Sequence, residues 1–443
     1  MYVWQGRSVR CPQEQEIMMK QRNRSIALFA AVALMAMPFT GCTKISGSVE
    51  SEGGQPATGN DPAAVTQDIT DETTEAPTQP VQADKRVHVV AAGDNLIHYS
   101  VYKNAEALAG GYGYDFKPMY ENVRYIIEGA DVAILEQETI ISQSNEVRGA
   151  NGGALLFNSP PEVADAVIDL GFDVFTMANN HLLDCGTAGL EESINFWNAK
   201  AREHDITVLG AYLSEEDANN IRVREVNGVK IAFLAYCENI NGFDDLLIGS
   251  HLRVIKNCEE DVIERQIKEA RQIADVVIVS AHWGNEDTFE VRPDVKVLAQ
   301  KMIDWGADVI LGDHTHVGQT MEWLTRPDGS KGFVFYSMGN FICAQTDNFN
   351  VIGELPDFDI VVDGVTNEVR LEDIGVIPTI VHYNSPDFAN MKIYPYSMYT
   401  PELANSHGLP YAIPQGTYTN FGWDVVNEII DTAIPKEFQK LDK

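Results

Sequence analysis

The stretch Val309-Ile310-Leu311-Gly312-Asp313-His314-Thr315-His316 runs from an apolar segment straight into a polar loop, and this pattern decides the fold. Its first three residues predict a short strand that is buried on both faces. Similar apolar runs occur at 87–92, 132–135, 174–177, 231–236, 276–280 and 333–336. Segments with helical periodicity lie between several of them, at 116–128, 161–170, 188–203, 259–273 and 294–304. This alternation predicts an α/β fold with largely parallel strands.

The chain changes character after Phe341. Short strands such as Asp359–Val362 and Glu368–Leu371 follow one another with turns between them, and we expect antiparallel strands that complete a second sheet. Beyond about residue 385 the sequence is rich in Pro and Tyr and poorly periodic. We therefore predict a folded domain over 86–385 and a C-terminal extension over 386–443.

Residues that can bind metal follow six of these predicted strands. Because the ligand crevice of an open α/β sheet lies outside the carboxyl ends of its strands, these loops should converge on one site. Taken singly, each loop has an ordinary explanation, such as a turn, a helix cap or a buried aromatic pair. The loops contain Gly93-Asp94, Glu136-Gln137-Glu138, Ala178-Asn179-Asn180-His181, His282-Trp283-Gly284, Asp313-His314-Thr315-His316 and Ser337-Met338-Gly339-Asn340.

The residue types in these loops indicate which metal ions the site could bind. One Asp, one or two Glu, an Asn and three His form a mixed oxygen and nitrogen set without thiolate, and His314 and His316 share a face if their segment is extended. Such a set suits Mn, Fe or Zn ions better than Ca²⁺ or a structural zinc. Because it exceeds what one tetrahedral ion uses, we predict two divalent metal ions with a bridging carboxylate. Such a centre lowers the pKa of bound water to about 7 and holds the attacking and leaving oxygens.

In this order the motifs resemble those of the bacterial capsule-synthesis family, the CapA-type poly-γ-glutamate biosynthesis group related to calcineurin-like metallophosphatases. The resemblance covers about 87–342. It implies a four-layer α/β/β/α sandwich of the metallo-dependent phosphatase type with a dinuclear metal site. By resemblance, His181 is the general acid near the leaving group. The resemblance also implies six metal ligands: Asp94, Glu138, Asn180, His282, His314 and His316. The motifs that carry it are Gly93-Asp94, Ala130-Asp131 with Glu138-Thr139, 178–186, 282–286, 312–319 and 336–341.

Two features depart from the family pattern. Glu136-Gln137-Glu138 stands where members usually carry Asn-Leu-Glu, and on a strand Glu136 and Glu138 face the same way. Glu136 is therefore either an additional ligand or a residue that changes which metal is preferred. The wider metallophosphatase pattern begins Asp-x-His, whereas the histidine after Asp94 is His98. Either the first metal lacks one imidazole, or His98 reaches it from the following turn.

Other polar residues of the motifs are expected to support the ligands. Asp184 and Asn340 are predicted to orient metal-bound imidazoles, which need hydrogen-bond partners. Glu286 and Gln319 are predicted either to support the ligands or to contact substrate. Cys185 has small or apolar neighbours, so we expect it to pack rather than react.

The N-terminal segment predicts export. Basic residues precede the apolar run Ser25–Phe39, which fits a signal-peptide core and is shorter than the roughly 20 residues that span a bilayer. Thr40-Gly41-Cys42 is similar to a bacterial lipobox. We predict a signal peptide over 1–41, with Met18 or Met19 as alternative starts, and a lipidated Cys42 that anchors an extracytoplasmic protein to the cell membrane. The alternative is a plain secretory signal with an incidental cysteine.

The segment that follows Cys42 predicts a flexible tether. Residues 42–85 are rich in Ser, Thr, Gly, Pro and acids and carry almost no large apolar side chain. Such a composition cannot bury enough surface to offset the entropy of ordering, so we expect a disordered acidic linker. A linker of this kind after a lipidated cysteine is what a surface lipoprotein needs.

Composition excludes several classes of function. The 443 residues carry 65 acids against 32 bases, a net charge of −33, and 44% are hydrophobic. The charge argues against a nucleic-acid partner, which needs clustered Lys and Arg. The hydrophobic content excludes a chain that is disordered throughout. Six cysteines without a CxxC spacing do not indicate a disulfide scaffold.

Two hypotheses of function follow from these features. The first is a metallophosphatase-like hydrolase of capsule biosynthesis that acts on a phosphoester or related bond, with an anionic polymer or phosphoester as substrate. The second is a non-catalytic, metal-containing scaffold that binds or guides polymer together with capsule-synthesis membrane proteins. His181 favours the hydrolase, because a structural metal has no need of an additional imidazole beside it.

Overall fold

A computed structural model describes residues 83–149, 155–385, 387–411 and 418–443 of the chain. The predicted signal peptide, Cys42 and nearly all of the predicted linker lie outside the described residues. Within those residues, no helix is long and apolar enough to cross a membrane.

The predicted alternation of strands and helices is present over the first two thirds of the described chain. The strands are β1 (Lys85–Asn95), β2 (Val132–Glu136), β3 (Arg148–Gly149), β4 (Phe157–Asn158), β5 (Val174–Thr176), β6 (Thr207–Leu209), β7 (Arg222–Val226), β8 (Val229–Cys237), β9 (Val276–His282), β10 (Val309–Asp313), β11 (Gly318–Thr325), β12 (Lys331–Met338), β13 (Asn340–Ile342), β14 (Ile352–Val362), β15 (Val369–Asn384) and β16 (Ala389–Pro395). The α-helices are α1 (Tyr99–Leu108), α2 (Lys117–Tyr120), α3 (Arg124–Ile127), α4 (Glu162–Leu170), α5 (Gly186–Glu203), α6 (Glu215–Asn219), α7 (Glu260–Ile273), α8 (Pro293–Trp305), α9 (Pro401–Ser406) and α10 (Trp423–Ala433).

The strands form two large sheets and a small hairpin of β3 and β4. One sheet has the order β16-β15-β14-β1-β2-β5-β6, with β13 also paired to β1. Its β1, β2, β5 and β6 are parallel, whereas β14, β15 and β16 are antiparallel additions. The other sheet has the order β11-β12-β10-β9-β8-β7, with β8, β9, β10 and β12 parallel. Parallel pairing places the carboxyl ends of these central strands at one edge of each sheet.

The two sheets pack face to face with helices outside, which confirms the predicted four-layer α/β/β/α architecture. Strand β1 contacts β8, β10 and β12 of the other sheet, and β14 contacts β11 and β12. Between the sheets, Phe335 stacks on Phe358 with ring centroids 6.2 Å apart. Helices α7 and α8 cover the β7–β12 sheet, and α5 covers the other, where Trp197 packs against Phe175.

Helix α7 illustrates why these segments form the outer layers. Its buried residues Ile263, Gln266, Ile267 and Ala270 recur at the spacing of one helical face, and the remaining positions are mostly charged. Acidic residues occupy its first turn, where they offset the partial positive charge of the helix N-terminus. The helix therefore has one face to bury, and it buries that face on β8 and β9.

The strands after Phe341 differ from the sequence expectation. They are longer, and they extend the sheet that contains β1 instead of completing the other one. Antiparallel pairing of β14 with β1, with Val87 opposite Ile360, covers the edge of β1 that faces away from β2. The predicted C-terminal extension contributes β16 to the same sheet, and α10 packs against β11 and β14.

Candidate metal centre

The predicted site residues meet where the two sheets present the carboxyl ends of their strands. Asp94 near the end of β1 lies opposite Glu136 at the end of β2, and Asp313 at the end of β10 lies opposite His282 at the end of β9. Because β1 packs against β10, the four side chains belong to one buried region. The expected convergence of the loops is therefore present in the fold.

Glu138 occupies the centre of this region. Both of its carboxylate oxygens are buried and have no hydrogen-bond partner within the described residues. Its Oε1 lies 3.8 Å from Nε2 of His282, and its Oε2 lies 3.7 Å from Nδ1 of His316. One carboxylate thus faces two different imidazoles, one from each of its oxygens.

A first ligand group lies on the Oε2 side of Glu138. The ligand atoms of Asp94, Glu138 and His316 all lie within 4.8 Å of one another. Nδ1 of His316 is 3.1 Å from Oδ2 of Asp94 and 3.2 Å from Oδ1 of Asn340. The side-chain amide of Asn340 also donates to the His316 carbonyl, so Asn340 holds this histidine in place.

A second ligand group lies on the Oε1 side. Glu138, His282 and His314 again offer atoms within 4.8 Å of one another, and the His282 and His314 ring centroids are 4.6 Å apart. Oδ1 of Asn180 lies 3.1 Å from Nε2 of His282, so Asn180 adds an oxygen to this group. Together the two groups contain the six residues that the sequence resemblance implies as ligands.

The loop that carries His314 and His316 is a tight turn rather than the extended segment expected from the sequence. Both residues adopt positive φ, 89° for His314 and 57° for His316. A non-glycine residue in this region costs on the order of 1–3 kcal/mol, and such strain persists where the surrounding structure requires it. Here the turn directs both imidazoles to Glu138 although the chain reverses between them.

Glu136 and Asp313 bring two further carboxylates to the centre. Glu136 accepts a hydrogen bond from Asn179 (3.1 Å), and its Oε1 is 4.0 Å from Nδ1 of His282. The atoms of Asp94, Glu136 and His282 form a third group within 4.8 Å. Asp313 was not predicted as a site residue, yet it is fully buried and its Oδ1 has no partner among the described residues. Its position at a strand end, like that of Asp94, was the signal that could have identified it.

The electrostatics of the centre fit a site for cations. Burial and neighbouring carboxylates raise the pKa values of Glu136, Glu138 and Asp313 well above their usual range. Burial lowers the pKa of His282, and lowers that of His314 to about 3, so these imidazoles are neutral and can ligate metal. Burial opposes protonation of His316 as well, but its hydrogen bond to Asp94 and the charges of Asp94, Glu286 and Asp287 together outweigh burial and raise its pKa to about 9.

Unpartnered atoms provide the test of whether metal fits this centre. Within the described residues, both oxygens of Glu138, Oε2 of Glu136, Nδ1 of His282 and Nδ1 of His314 are buried without a hydrogen bond. Leaving so many polar atoms unsatisfied is costly unless another group meets them. The clusters are compatible with divalent metal ions, which would supply the missing partners.

His181 lies beside the centre as part of a pair with Asp184. Nδ1 of His181 is 2.8 Å from Oδ2 of Asp184, and the same oxygen accepts a hydrogen bond from the backbone of Phe157 (2.7 Å). The Phe157 ring meets the imidazole edge to face at 4.6 Å. The backbone N–H of His181 donates to Asn179, so both its backbone and its ring are fixed. Asp184 thus orients His181 instead of a metal-bound imidazole.

The two remaining predicted residues lie in the region around the loop that follows His282. The side-chain amide of Gln319 donates to the carbonyls of Thr288 (2.8 Å) and Glu290 (3.2 Å) and so holds this loop. Glu286 is exposed in the same loop. Their positions match a supporting role for Gln319 and leave Glu286 available at the surface near the centre.

Comparisons with known proteins identify relatives of this chain. The chain is 29% identical over 254 residues to the capsule biosynthesis protein CapA of Bacillus anthracis, covering 55% of this chain and 57% of that protein. It is 30% identical over 238 residues to the PGA biosynthesis protein CapA of Bacillus subtilis, covering 49% and 58%. The chain thus spans less than two thirds of the length of these relatives.

Solved structures and a family model complete the comparison. The calcineurin-like phosphoesterase YfkN of Bacillus subtilis aligns at 14% identity over 79% of this chain and 97% of that chain, with a TM-score of 0.38. The model of the bacterial capsule synthesis protein family, PGA_cap, matches residues 88–345 and includes every residue of the centre. Since this match covers more than half of the chain, the chain belongs to the bacterial capsule synthesis protein family.

Proposed function

We propose that the chain is a dinuclear metal-dependent hydrolase of capsule biosynthesis, acting at the cell surface on a phosphoester or a related bond. The observation that carries the proposal is Glu138, whose two buried oxygens face His282 and His316 on opposite sides. A scaffold that holds one structural ion has no need of such a bridge. The match to the capsule synthesis family supports the biological setting.

The proposed centre has two positions that share Glu138. Asp94 and His316 would hold one ion, and Asn180, His282 and His314 would hold the other. When bound, the ions supply Lewis acidity and an activated water molecule. The residues of the chain fix the positions of the ligands and exclude bulk water, because all six are almost fully buried.

His181 supplies the proton in the proposed reaction. Because Nδ1 donates to Asp184, Nε2 is the nitrogen that exchanges a proton with the substrate. Protonation of the leaving oxygen by Nε2 would let the bond to that oxygen break without release of a free alkoxide. Asp184 fixes the orientation of the imidazole ring through this hydrogen bond, as a buried carboxylate does in other histidine pairs.

The substrate must overcome the charge of the protein. A net charge of −33 repels an anionic polymer such as poly-γ-glutamate, so attraction has to come from the metal ions and nearby Lys or Arg side chains. A phosphoester is the bond that the centre fits most directly. The alternative bond is an amide of the polymer, and parallel assays on a phosphodiester and on poly-γ-glutamate distinguish the two.

The test of this function combines metal analysis with turnover. We expect two Mn²⁺ ions per chain by mass spectrometry and hydrolysis of a chromogenic phosphoester. His181→Ala should lower kcat about 10²- to 10⁴-fold with metal content unchanged. If no metal binds, or if His181→Ala turns over like the unaltered chain, the hydrolase fails and the scaffold hypothesis takes its place.

Membrane attachment is a separate part of the proposal. A lipidated Cys42 would hold the protein on the outer face of the cell membrane, within reach of capsule-synthesis membrane proteins. Cys42→Ala should move the protein from the membrane fraction to the soluble fraction of the cell envelope. Retention of this variant in the membrane fraction would rule out the lipid as the only anchor.

A further inference from the structure

His98 lies beside the centre, and neither ligand group accounts for it. It follows β1 directly and caps helix α1, where its carbonyl accepts the backbone N–H groups of Val101 and Tyr102. It belongs to none of the three ligand groups. No Asp or Glu among the described residues has a carboxylate oxygen within 4.0 Å of its ring nitrogens, whereas His282 and His316 each have two such contacts.

Two backbone groups contact Nδ1 of His98, and the donor among them favours one tautomer. The backbone N–H of Ala344 donates to Nδ1 at 3.3 Å, and a backbone N–H can only donate. The carbonyl of Leu96, 3.2 Å from the same nitrogen, already accepts the backbone N–H of His98. In the tautomer that keeps the hydrogen bond from Ala344, Nδ1 is unprotonated and the proton resides on Nε2.

The ring of His98 shares its surroundings with the two functional parts of the centre. Phe157 meets His98 edge to face at 5.2 Å and meets His181 in the same way at 4.6 Å. The segment that donates to Nδ1 also carries Asn340, which holds His316. Thus His98 lies on the His181 side of the centre and is tied to the His316 side.

Nε2 is the part of His98 that remains available. His98 is partly buried, and no hydrogen bond within the described residues engages Nε2. Burial lowers the pKa of His98 to about 3, with smaller contributions from His316 and His181, so the imidazole is a neutral donor at physiological pH. An N–H group beside the proposed metal positions would suit an anionic oxygen of a bound ester or of its phosphate product.

We propose that His98 is a substrate-binding residue, which donates a hydrogen bond from Nε2 to a phosphoryl oxygen, and not a metal ligand. The proposal rests on the proposed metal centre and specifies how that centre recognises its substrate. From the sequence, His98 was either a metal ligand or no part of the metal site. The proposal instead gives His98 a contact with the substrate anion.

The test measures anion binding and metal content separately in the full-length chain. Inorganic phosphate is titrated calorimetrically into the Mn²⁺-loaded protein, and the ratio of metal to protein is measured by mass spectrometry. His98→Ala should retain all of its metal and bind phosphate roughly 10- to 100-fold more weakly, the effect of losing one hydrogen bond to a charged group. His98→Gln, which keeps a donor, should recover part of that affinity.

His204→Ala is the matched control. His204 is exposed at the end of α5, far along the chain from every motif, and its loss should change neither phosphate affinity nor metal content. The proposal is overturned if His98→Ala loses metal, if its phosphate affinity is unchanged, or if the unaltered chain does not bind phosphate. A chain that binds phosphate through His98 but hydrolyses no ester would refute the proposed hydrolase and leave this inference standing.

Discussion

At the scale of single residues, the stability of the protein should depend on metal through Glu138. Burial raises the pKa of this carboxyl, and Asp94 and Glu136 raise it further, so its ionised form is costly without a cation. Glu138→Gln removes that charge at almost constant volume. We expect the variant to be at least as stable as the unaltered chain without metal, and to lose the gain in stability on adding Mn²⁺.

The size of the stabilisation by Mn²⁺ follows from the linkage between metal binding and folding. A ligand present at 100 times its dissociation constant stabilises the folded state by about 2.7 kcal/mol, which is visible as a rise in Tm. Thermal melts with EDTA and with Mn²⁺ measure it, and Glu216→Gln, an exposed change of the same kind, is the control. A Glu138→Gln melt that rises with Mn²⁺ as much as the control would contradict the bridging role.

The sequence predicted which residues meet at the centre for a physical reason that also explains what it missed. Asp94, Glu138 and His282 follow apolar strands, and in a parallel sheet that position alone brings side chains together. Asp313 has the same position but was passed over, because the resemblance assigned ligand roles only to the histidines of its motif. The backbone strain at His314 depends on packing around the turn, so no local pattern indicated it.

At the scale of elements, the contact between β11 and β14 should tolerate no added side chain. A Cβ on Gly318 would lie 2.1 Å from Oε1 of Glu354, whose carboxylate is buried with no partner among the described residues. We expect Gly318→Ala to lower the free energy of unfolding by about 1–3 kcal/mol, the usual cost of overpacking. Urea unfolding measures this difference.

A double-mutant cycle isolates the cause. Glu354→Ala removes the atoms that a Cβ at position 318 would meet, so Gly318→Ala should cost much less in that background. Glu354→Ala alone removes an unpartnered buried carboxyl and leaves a cavity in its place. Its free energy of unfolding is the reference for the double mutant. Equal costs in the two backgrounds would show that the strain of Gly318→Ala arises elsewhere.

The strands after Phe341 show what sequence patterns could not predict. Glu354, Pro356 and Asp357 interrupt the apolar run of β14, so the pattern predicted only the short piece 359–362. The structure buries these residues because β14 lies between β1 and β15 and faces the other sheet. β14 joins this sheet because it pairs with residues some 270 positions away, such as Val87 with Ile360. Local periodicity does not predict such long-range pairing.

At the scale of the whole molecule, the C-terminal end of the chain is tied to the core through Asp357. Nζ of Lys440 lies 2.5 Å and Nζ of Lys443 lies 2.8 Å from Oδ1 of this aspartate, and Nε2 of His88 on β1 lies 3.3 Å from Oδ2. Burial alone would raise the pKa of Asp357, but hydrogen bonds from these three side chains and the charge of Lys440 outweigh burial and hold it well below its usual range.

We call the contacts of Asp357 with Lys440, Lys443 and His88 the buried clamp. It should make the free energy of unfolding depend on pH. Because the pKa of Asp357 is lower in the folded state than in the unfolded one, its contribution is present above the unfolded value of about 3.9 and is lost as the pH falls below it. We expect Asp357→Asn to lower the free energy of unfolding by about 2 kcal/mol at pH 7 and to flatten its decline between about pH 5 and pH 2. Urea unfolding across that range measures both effects.

Asp373→Asn is the control. It removes a carboxylate that contacts the same two lysines but is largely exposed, so it should lower the free energy of unfolding by under about 1 kcal/mol. Equal losses for the two variants would mean that surface charge, and not the buried clamp, holds the C-terminal end on the sheet.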